Sequence, residues 1–325
     1  MKFLYKLWRY AACAWMLAGA MLAQAQGFPN KPVRIVIGFP PGGGIDIVAR
    51  LMAPKLTELL GQPVVIDNKP GANGVLGMDH VAKAPADGHT LFLGTLGNFS
   101  VNPALYPNLP FSVEKQFAPL TELASVSFVL FVNPALPVKS VAELVAYAKS
   151  QPGQLNFSSS SSGGLPHLAG ELFKLQTKTF ITHIPYRGAG PALQDLIAGN
   201  VDMMFDGLGS SAQHIKGGRI KALMVSGNKR NAAFPDVPCA AELGFPDYTV
   251  TTWYGLWAPK GTPADVQARV VEEVKKASTG EDLKAAWALN GADFPHLSGA
   301  QFGGFVNGEI KRWAAVVKAS GAKLD

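Results

Sequence analysis

A glycine-rich turn near the start of the chain has the residue types of an anion-binding site. Gly42-Gly43-Gly44 follows the apolar run 33–37 and precedes a stretch, 48–59, with apolar residues at helical spacing, which predicts strand, turn and helix. Glycines let a ligand approach the backbone, and free N–H groups at a helix start attract a carboxylate or phosphate. Ile47 stands where a dinucleotide fingerprint has its third glycine, and no Gly-Lys-Ser/Thr follows, so neither nucleotide motif is present.

A serine-rich stretch, 158–164, is the second candidate. Five serines precede Gly163-Gly164 at the start of another helical pattern that contains His167, and hydroxyl and N–H groups together suit an oxyanion. A solvated serine linker is the alternative, but the run lies between a predicted strand and an amphipathic helix. A serine nucleophile, such as Ser160 with His167 as base, is a further alternative that lacks a G-x-S-x-G elbow. The six histidines show no metal-ligand spacing.

The elements that position these stretches follow one pattern. Apolar β-branched runs, of which 64–66 is predicted to be a second buried strand, are each followed by a polar turn. Successive strand–turn–helix units predict an α/β protein with a parallel sheet, in which ligands bind at the carboxyl ends of the strands. We therefore expect the turns at 38–46, 67–74 and 94–98 to lie along one edge. Residues 128–225 repeat the same architecture.

Residues 1–25 have the pattern of a secretory signal peptide. Three basic residues in the first nine positions precede an apolar segment, 11–23, which is too short for a stable membrane span and ends at an A-x-A cleavage site. An uncleaved anchor is the alternative. We expect a soluble, exported protein.

Composition argues against several classes of function. The formal net charge is +6, three of the basic residues lie in the predicted signal peptide, and no run clusters the others, so nucleic-acid binding is not expected. Cys13 lies in the same segment, which leaves Cys239 alone and excludes an internal disulfide.

The order and spacing of several motifs resemble one family, the Bug (TctC-type) extracytoplasmic receptors of tripartite tricarboxylate transporters. The resemblance covers 28–325 and rests on segments at 41–46, 68–74, 102–106, 159–167, 185–193, 199–202, 234–238 and 253–259. Two residues depart from the expected pattern. Pro54 predicts a kink or local break in the first helix, and Asn73 stands where a small residue is usual.

The resemblance implies a type II periplasmic-binding-protein fold, in which two α/β lobes close on a ligand. Lobe 1 would comprise 26–125 and 249–325, and lobe 2 would comprise 126–248. The implied function is capture of a small organic acid in the periplasm, without catalysis, cofactor or metal, by a monomer that docks on membrane transporter subunits. The resemblance implies that this acid would be a di- or tricarboxylate, an amino acid or an aromatic acid.

The resemblance and the turns together give a set of candidate ligand-binding residues. From lobe 1 these are Phe39, Pro40, Gly42, Gly43, Gly44, Gly71, Asn73, Gly74, Thr95 and Asn98. From lobe 2 they are Ser159, Ser160, Ser161, Gly163, His167, Tyr186, Arg187, Gly188, Gly190, Pro191 and Asp206.

Several alternatives remain open at this point. Arg187 could pair with a distal carboxylate or be solvated, and Asp206 could hold an ammonium group or cap the next turn. A receptor that reports ligand to a membrane sensor would use the same closed form as a transport receptor. A serine-dependent hydrolase is the alternative from another class.

Overall fold

The computed structural model describes residues 27–106, 108–289, 292–293 and 297–320, so the predicted signal peptide lies outside the described residues. The strands are β1 (Val33–Ile37), β2 (Val64–Asn68), β3 (Thr90–Thr95), β4 (Phe117–Val132), β5 (Asn156–Ser159), β6 (Thr182–Pro185), β7 (Met203–Gly207), β8 (Lys221–Val225), β9 (Thr251–Pro259) and β10 (Ala292–Asp293). The helices are α1 (Gly44–Leu60), α2 (Val75–Ala82), α3 (Asn102–Leu105), α4 (Val113–Gln116), α5 (Val141–Ser150), α6 (Leu165–Thr177), α7 (Ala189–Ala198), α8 (Leu208–Lys216), α9 (Ala264–Ser278), α10 (Glu281–Leu289) and α11 (Gly299–Ser320).

The strands form one hydrogen-bonded path in the order β2-β1-β3-β9-β4-β7-β5-β6, and β8 and β10 also pair with β4. In the first half, β1 is parallel to β2 and β3, as the strand–turn–helix units predicted. β9 is inserted antiparallel between β3 and β4. The contiguous β-branched residues of β1 are buried because helices cover both faces of this strand.

β4 links the two halves of the sheet. Its residues 117–127 pair with β9, and 128–132 pair with β7 and β8, so one strand belongs to both halves. In the second half β5 is parallel to β6 and β7. Continuous backbone therefore crosses the boundary between the two halves.

The structure corrects two local predictions. β2 is an edge strand rather than a buried one, and Val65 on it is 45% exposed. Of the two alternatives predicted at Pro54, a local break is wrong, since one helix spans Gly44–Leu60 with Pro54 inside it; a kink stays a prediction.

The long last helix, α11, covers the central strands of the first half. Phe302 is fully buried and packs edge-on against Trp253, and a Cβ on Gly255 would overlap its ring. This glycine thus lets the helix lie close to β9. None of the described helices is long and apolar enough to cross a membrane.

Candidate functional site

The carboxyl ends of the strands surround a cavity between the two halves, here called the inner cavity. It offers about 80 Å³ to the centres of water molecules, against roughly 10–15 Å³ for a single water, so a small organic ligand fits. Its lining residues are Phe39, Pro40, Gly43, Gly44, Ile45, Asn73, Thr95, Gly97, Phe128, Ser160, Ser161, Gly164, Leu165, Pro166, Ala189, Asp206, Thr252 and Tyr254.

Four helices begin at or beside this cavity, and all four have a glycine at the N-cap. The caps of α1, α6, α7 and α8 are Gly43, Gly164, Gly188 and Gly207, and none of these helices has a side-chain cap. By contrast, α5, which begins away from the cavity, is capped by Ser140. Helix N-termini carry partial positive charge, so these uncapped ends form an environment that favours an anion.

The glycine turn before α1 is held in shape by a buried carboxylate. Asp46 accepts hydrogen bonds from the Gly42 N–H (3.0 Å), Arg50 Nε (2.9 Å) and Asn68 Nδ2 (3.0 Å). Burial alone would raise the pKa of Asp46, but these hydrogen bonds outweigh burial and lower the pKa below its ordinary value. Gly42 has φ of +89°, a conformation that favours glycine, and its N–H faces Asp46.

The three turns of the first half meet, as predicted from their positions after parallel strands. Asn98 Nδ2 and Asn102 Nδ2 both donate to the Asn73 carbonyl, at 2.9 and 3.1 Å, and Asn73 Nδ2 donates to Asn102 Oδ1 at 2.7 Å. Asn73 itself has φ of +51°, in the left-handed region that asparagine tolerates. This amide network, in which Asn98 and Asn102 are buried, fixes the backbone of the second turn.

The serine loop of the second half is supported from behind by two histidines. His167 Nδ1 accepts from the Gly163 N–H at 2.9 Å, and the His167 ring stacks on His183 at 3.7 Å. His183 Nε2 lies 2.6 Å from Ser159 Oγ. Ser159, Gly163 and His167 therefore shape the loop without lining the cavity, and the N–H bond to Nδ1 occupies the lone pair that a catalytic base would use.

The two halves touch across the cavity. Ser161 Oγ donates to Asn73 Oδ1 at 3.0 Å, which joins the serine loop to the second turn. Within the first half, a Cβ on Gly44 would lie 2.7 Å from the Tyr254 hydroxyl oxygen. Between the halves, a Cβ on Gly209 would lie 3.1 Å from the Gly44 Cα. The N-termini of α1 and α8 thus approach each other to backbone contact.

Asp206 contributes the carboxylate of the inner cavity. Its Oδ1 accepts from the Gly207 N–H at 2.9 Å and its Oδ2 from Ser210 Oγ at 3.3 Å. Burial raises the pKa of Asp206 to about 6. Burial also raises the pKa of Tyr254, with a smaller contribution from the Asp206 charge. Both predicted roles of Asp206 therefore remain compatible with its position, since it contacts the turn and lines the cavity.

A larger compartment, here called the mouth, adjoins the inner cavity and offers about 950 Å³ to water centres. Phe39, Pro40, Asn73, Ser160 and Ser161 line both spaces. The other residues of the mouth are Gly38, Pro70, Gly71, Ala72, Gly74, Tyr106, Ser162, Pro185, Tyr186, Arg187 and Gly188.

The candidate residues from the sequence fall into three groups. Phe39, Pro40, Gly43, Gly44, Asn73, Thr95, Ser160, Ser161 and Asp206 line the inner cavity. Gly71, Gly74, Tyr186, Arg187 and Gly188 line the mouth only. Gly42, Asn98, Ser159, Gly163, His167, Gly190 and Pro191 line neither space.

Sequence reasoning missed part of the inner cavity. Four of its lining residues, Ile45, Gly97, Gly164 and Ala189, lie inside stretches that the sequence predicted to meet the ligand, although they were not named as candidates. The residues missed altogether are Phe128, Leu165, Pro166, Thr252 and Tyr254. Leu165 lies at a predicted helix start, so the strand–turn–helix pattern could have included it. Tyr254 and Thr252 come from β9, whose antiparallel insertion has no local signal.

Residues 48–322 match the model of the protein family described as "Tripartite tricarboxylate transporter family receptor". The chain belongs to this family. BugT of Bordetella pertussis is 38% identical over 301 residues, which cover 92% of each chain.

Solved structures of relatives have the same fold. Rpa4515 of R. palustris, solved with adipate, superposes with a TM-score of 0.89 at 35% identity over 92% of this chain and 100% of its own. MatC of Rhodopseudomonas palustris, solved with bound malate, gives 0.84 at 34% identity over 89% and 100%. The periplasmic binding protein BugD gives 0.87 at 30% identity over 92% and 100%.

These matches confirm the predicted family and the α/β periplasmic-binding-protein fold. They make this chain a tripartite tricarboxylate transporter family receptor, which binds a solute rather than converting it. Within the described residues, no three His, Cys, Asp or Glu side chains form a group that could hold a metal ion.

Proposed function

We propose that the receptor captures a small organic acid in the inner cavity, with a carboxylate bound by the N-termini of α1, α6 and α7. The observation that carries this proposal is the set of glycine N-caps around one cavity. Each leaves the first N–H groups of its helix without a side-chain acceptor. An anion satisfies several such donors at once and benefits from the helix dipoles.

The lining of the inner cavity supports recognition by neutral donors. Among its described residues no lysine, arginine or histidine occurs, while Thr95, Ser160 and Tyr254 supply hydroxyl groups. The adipate and malate in two solved relatives belong to the same ligand class. We extend that class to this chain as a proposal.

The partner and the location complete the proposal. The lobes, 26–125 with 249–325 and 126–248, close on the acid, and the closed form docks as a monomer on membrane transporter subunits in the periplasm. Residues 1–25 direct export and are removed. Differential affinity of the ligand for the closed form drives closure.

Calorimetric titration and thermal unfolding test the proposal with a panel of carboxylic acids, amino acids and aromatic acids. The control ligands are the corresponding neutral amides. A ligand present at 100 times its dissociation constant adds about 2.7 kcal/mol of stability, which for a chain of this size raises Tm by several degrees. Amides that bind as tightly as the acids would contradict an anion site, and an exported protein that still carries residues 1–25 would contradict the removal of that segment.

A further inference from the structure

The mouth differs from the inner cavity in its chemistry. Aromatic rings and prolines make up much of its wall, and Arg187 is the one charged side chain among its described lining residues. Among the described lining residues of the inner cavity, Asp206 is the one charged side chain. The continuous cleft thus offers uncapped helix ends at its inner end and a cation at its outer end.

The backbone that carries Arg187 is fixed on both sides. The Tyr186 N–H donates to the Ser159 carbonyl and the Gly188 N–H to the Ser160 carbonyl, both at 2.9 Å. Tyr186 Oη donates to Asp195 Oδ2 at 2.6 Å, which ties the loop to α7. Since its neighbours are held to the serine loop, the Arg187 Cα has a defined position beside the cleft.

Within the described residues, the Arg187 guanidinium forms no hydrogen bond or ion pair. Arg187 is exposed, and no carboxylate in the described part of the chain lies within salt-bridge distance of it. The neighbouring acid, Asp195, is occupied by Tyr186 and by Asn200. A planar guanidinium in this state is suited to a carboxylate, which it can bind through two parallel N–H···O bonds.

We infer that the mouth contains a second anion subsite, in which Arg187 is the residue that selects acids with a carboxylate at both ends. The inference rests on the proposed function, because the first carboxylate is the one bound by the helix N-termini. The chain of the ligand runs from the inner cavity past Asn73 and Ser161 and along Phe39 and Pro40, which line both spaces. Its far carboxylate then meets Arg187.

Calorimetric titration of matched acids tests this subsite. The dicarboxylates run from succinate to suberate, and the matching monocarboxylates run from butyrate to octanoate. The variants are Arg187→Gln, Arg187→Lys and, as a control, Lys139→Gln, which removes an exposed cation that lines neither space. A charge-assisted contact at a partly exposed site is expected to contribute about tenfold in affinity.

We expect the native protein to bind at least one dicarboxylate about tenfold tighter than its matching monocarboxylate. Arg187→Gln removes this advantage and leaves monocarboxylate affinity unchanged, Arg187→Lys keeps part of it, and Lys139→Gln behaves as the native protein. Equal dicarboxylate affinity in the native protein and in Arg187→Gln would overturn the subsite and leave the proposed function intact. Failure of every acid in both series to bind would overturn the subsite, and the proposed function would fall only if the amino acids and aromatic acids of the wider panel also failed to bind.

Discussion

At the scale of single residues, the charge of Asp206 bears most directly on ligand binding. Its pKa is raised to about 6 by burial, so the free receptor loses this proton near pH 6. A carboxylate bound in the same cavity favours the neutral form and raises the pKa further. Above pH 6, binding of a dicarboxylate is therefore coupled to uptake of a proton by Asp206. The affinity of the receptor for the dicarboxylate then falls as the pH rises above 6, by at most about tenfold per pH unit.

Asp206→Asn is expected to remove this slope, because the amide has no charge to lose. Titrations with malate or adipate between pH 5 and pH 8 measure it, and Asp236→Asn, an exposed acid outside both spaces, is the matched control. The neighbouring Tyr254 stays protonated in this range, since its pKa is raised. A pH-independent affinity in the native protein would contradict the prediction, and an amino-acid ligand whose ammonium group pairs with Asp206 would show the opposite slope.

A second residue-scale prediction concerns Gly44, where the two halves meet. A Cβ there would lie 2.7 Å from the Tyr254 hydroxyl oxygen, so Gly44→Ala is expected to lower the free energy of unfolding by about 1–3 kcal/mol. The matched control is Gly304→Ala, an exposed position inside α11 whose Cβ would meet nothing within 4 Å. That change is expected to be neutral or to stabilise by up to about 1 kcal/mol. Thermal unfolding compares the two, and equal Tm values would contradict the close packing at Gly44.

Sequence patterns predicted the residues whose role depends on local structure. Gly43 and Gly44 follow a buried strand and open a helix, and Ser160 and Ser161 follow another, so strand–turn–helix order was enough to place them. Tyr254 and Asn102 depend on tertiary packing instead. Tyr254 reaches the cavity through a strand from the far end of the chain, and Asn102 binds Asn73 across 29 residues.

At the scale of elements, the same contrast separates β1 to β3 from β4 and β9. The parallel strands were predictable because each carries a short apolar run that is followed by its own polar turn. In β4 only 128–132 is a continuous apolar run that predicts a strand, because 117–127 contains a proline, a glutamate and two serines among its apolar residues. This stretch forms a strand because β9 pairs along its whole length, a contact that no local pattern contains.

Glu122 shows what that tertiary pairing costs. It lies on β4, is 4% exposed, and its Oε2 has no hydrogen-bond partner among the described residues. Burial raises its pKa to about 7 from 4.5. The folded state therefore holds this proton in a range where the unfolded chain has released it, so stability falls as pH rises from about 4.5 to about 7 and stays low above.

Glu122→Gln is expected to remove this loss, which amounts to at most about 3 kcal/mol in the free energy of unfolding at pH 8. Urea unfolding at pH 5 and pH 8 measures it, and Glu114→Gln, an exposed acid on α4, is the control. We expect the difference between the two pH values to shrink in Glu122→Gln and to persist in Glu114→Gln. An unchanged pH dependence in Glu122→Gln would show that this carboxyl is not the source.

At the scale of the whole molecule, capture depends on the equilibrium between open and closed arrangements of the two halves. The hydrogen bond from Ser161 Oγ to Asn73 Oδ1 joins the halves at the boundary between the inner cavity and the mouth. Asn98 and Asn102 belong to the first half, so they hold Asn73 in place in both the open and the closed arrangement. Asn73 is therefore a fixed acceptor for the Ser161 hydroxyl. The bond exists only when the halves are together, and its net contribution, about 0.5–1.5 kcal/mol, belongs to the closed form alone.

Ser161→Ala is therefore expected to weaken ligand affinity by about threefold to tenfold through faster dissociation, because the encounter with the open form does not involve this bond. Stopped-flow displacement separates the two rates, and small-angle scattering of the ligand-free protein reports any shift toward the open form. Ser150→Ala, at the exposed end of α5, is the control. A slower association with unchanged dissociation would instead mean that Ser161 acts while the ligand enters the cleft. A bond that forms only after closure slows dissociation of the ligand and leaves its association rate unchanged.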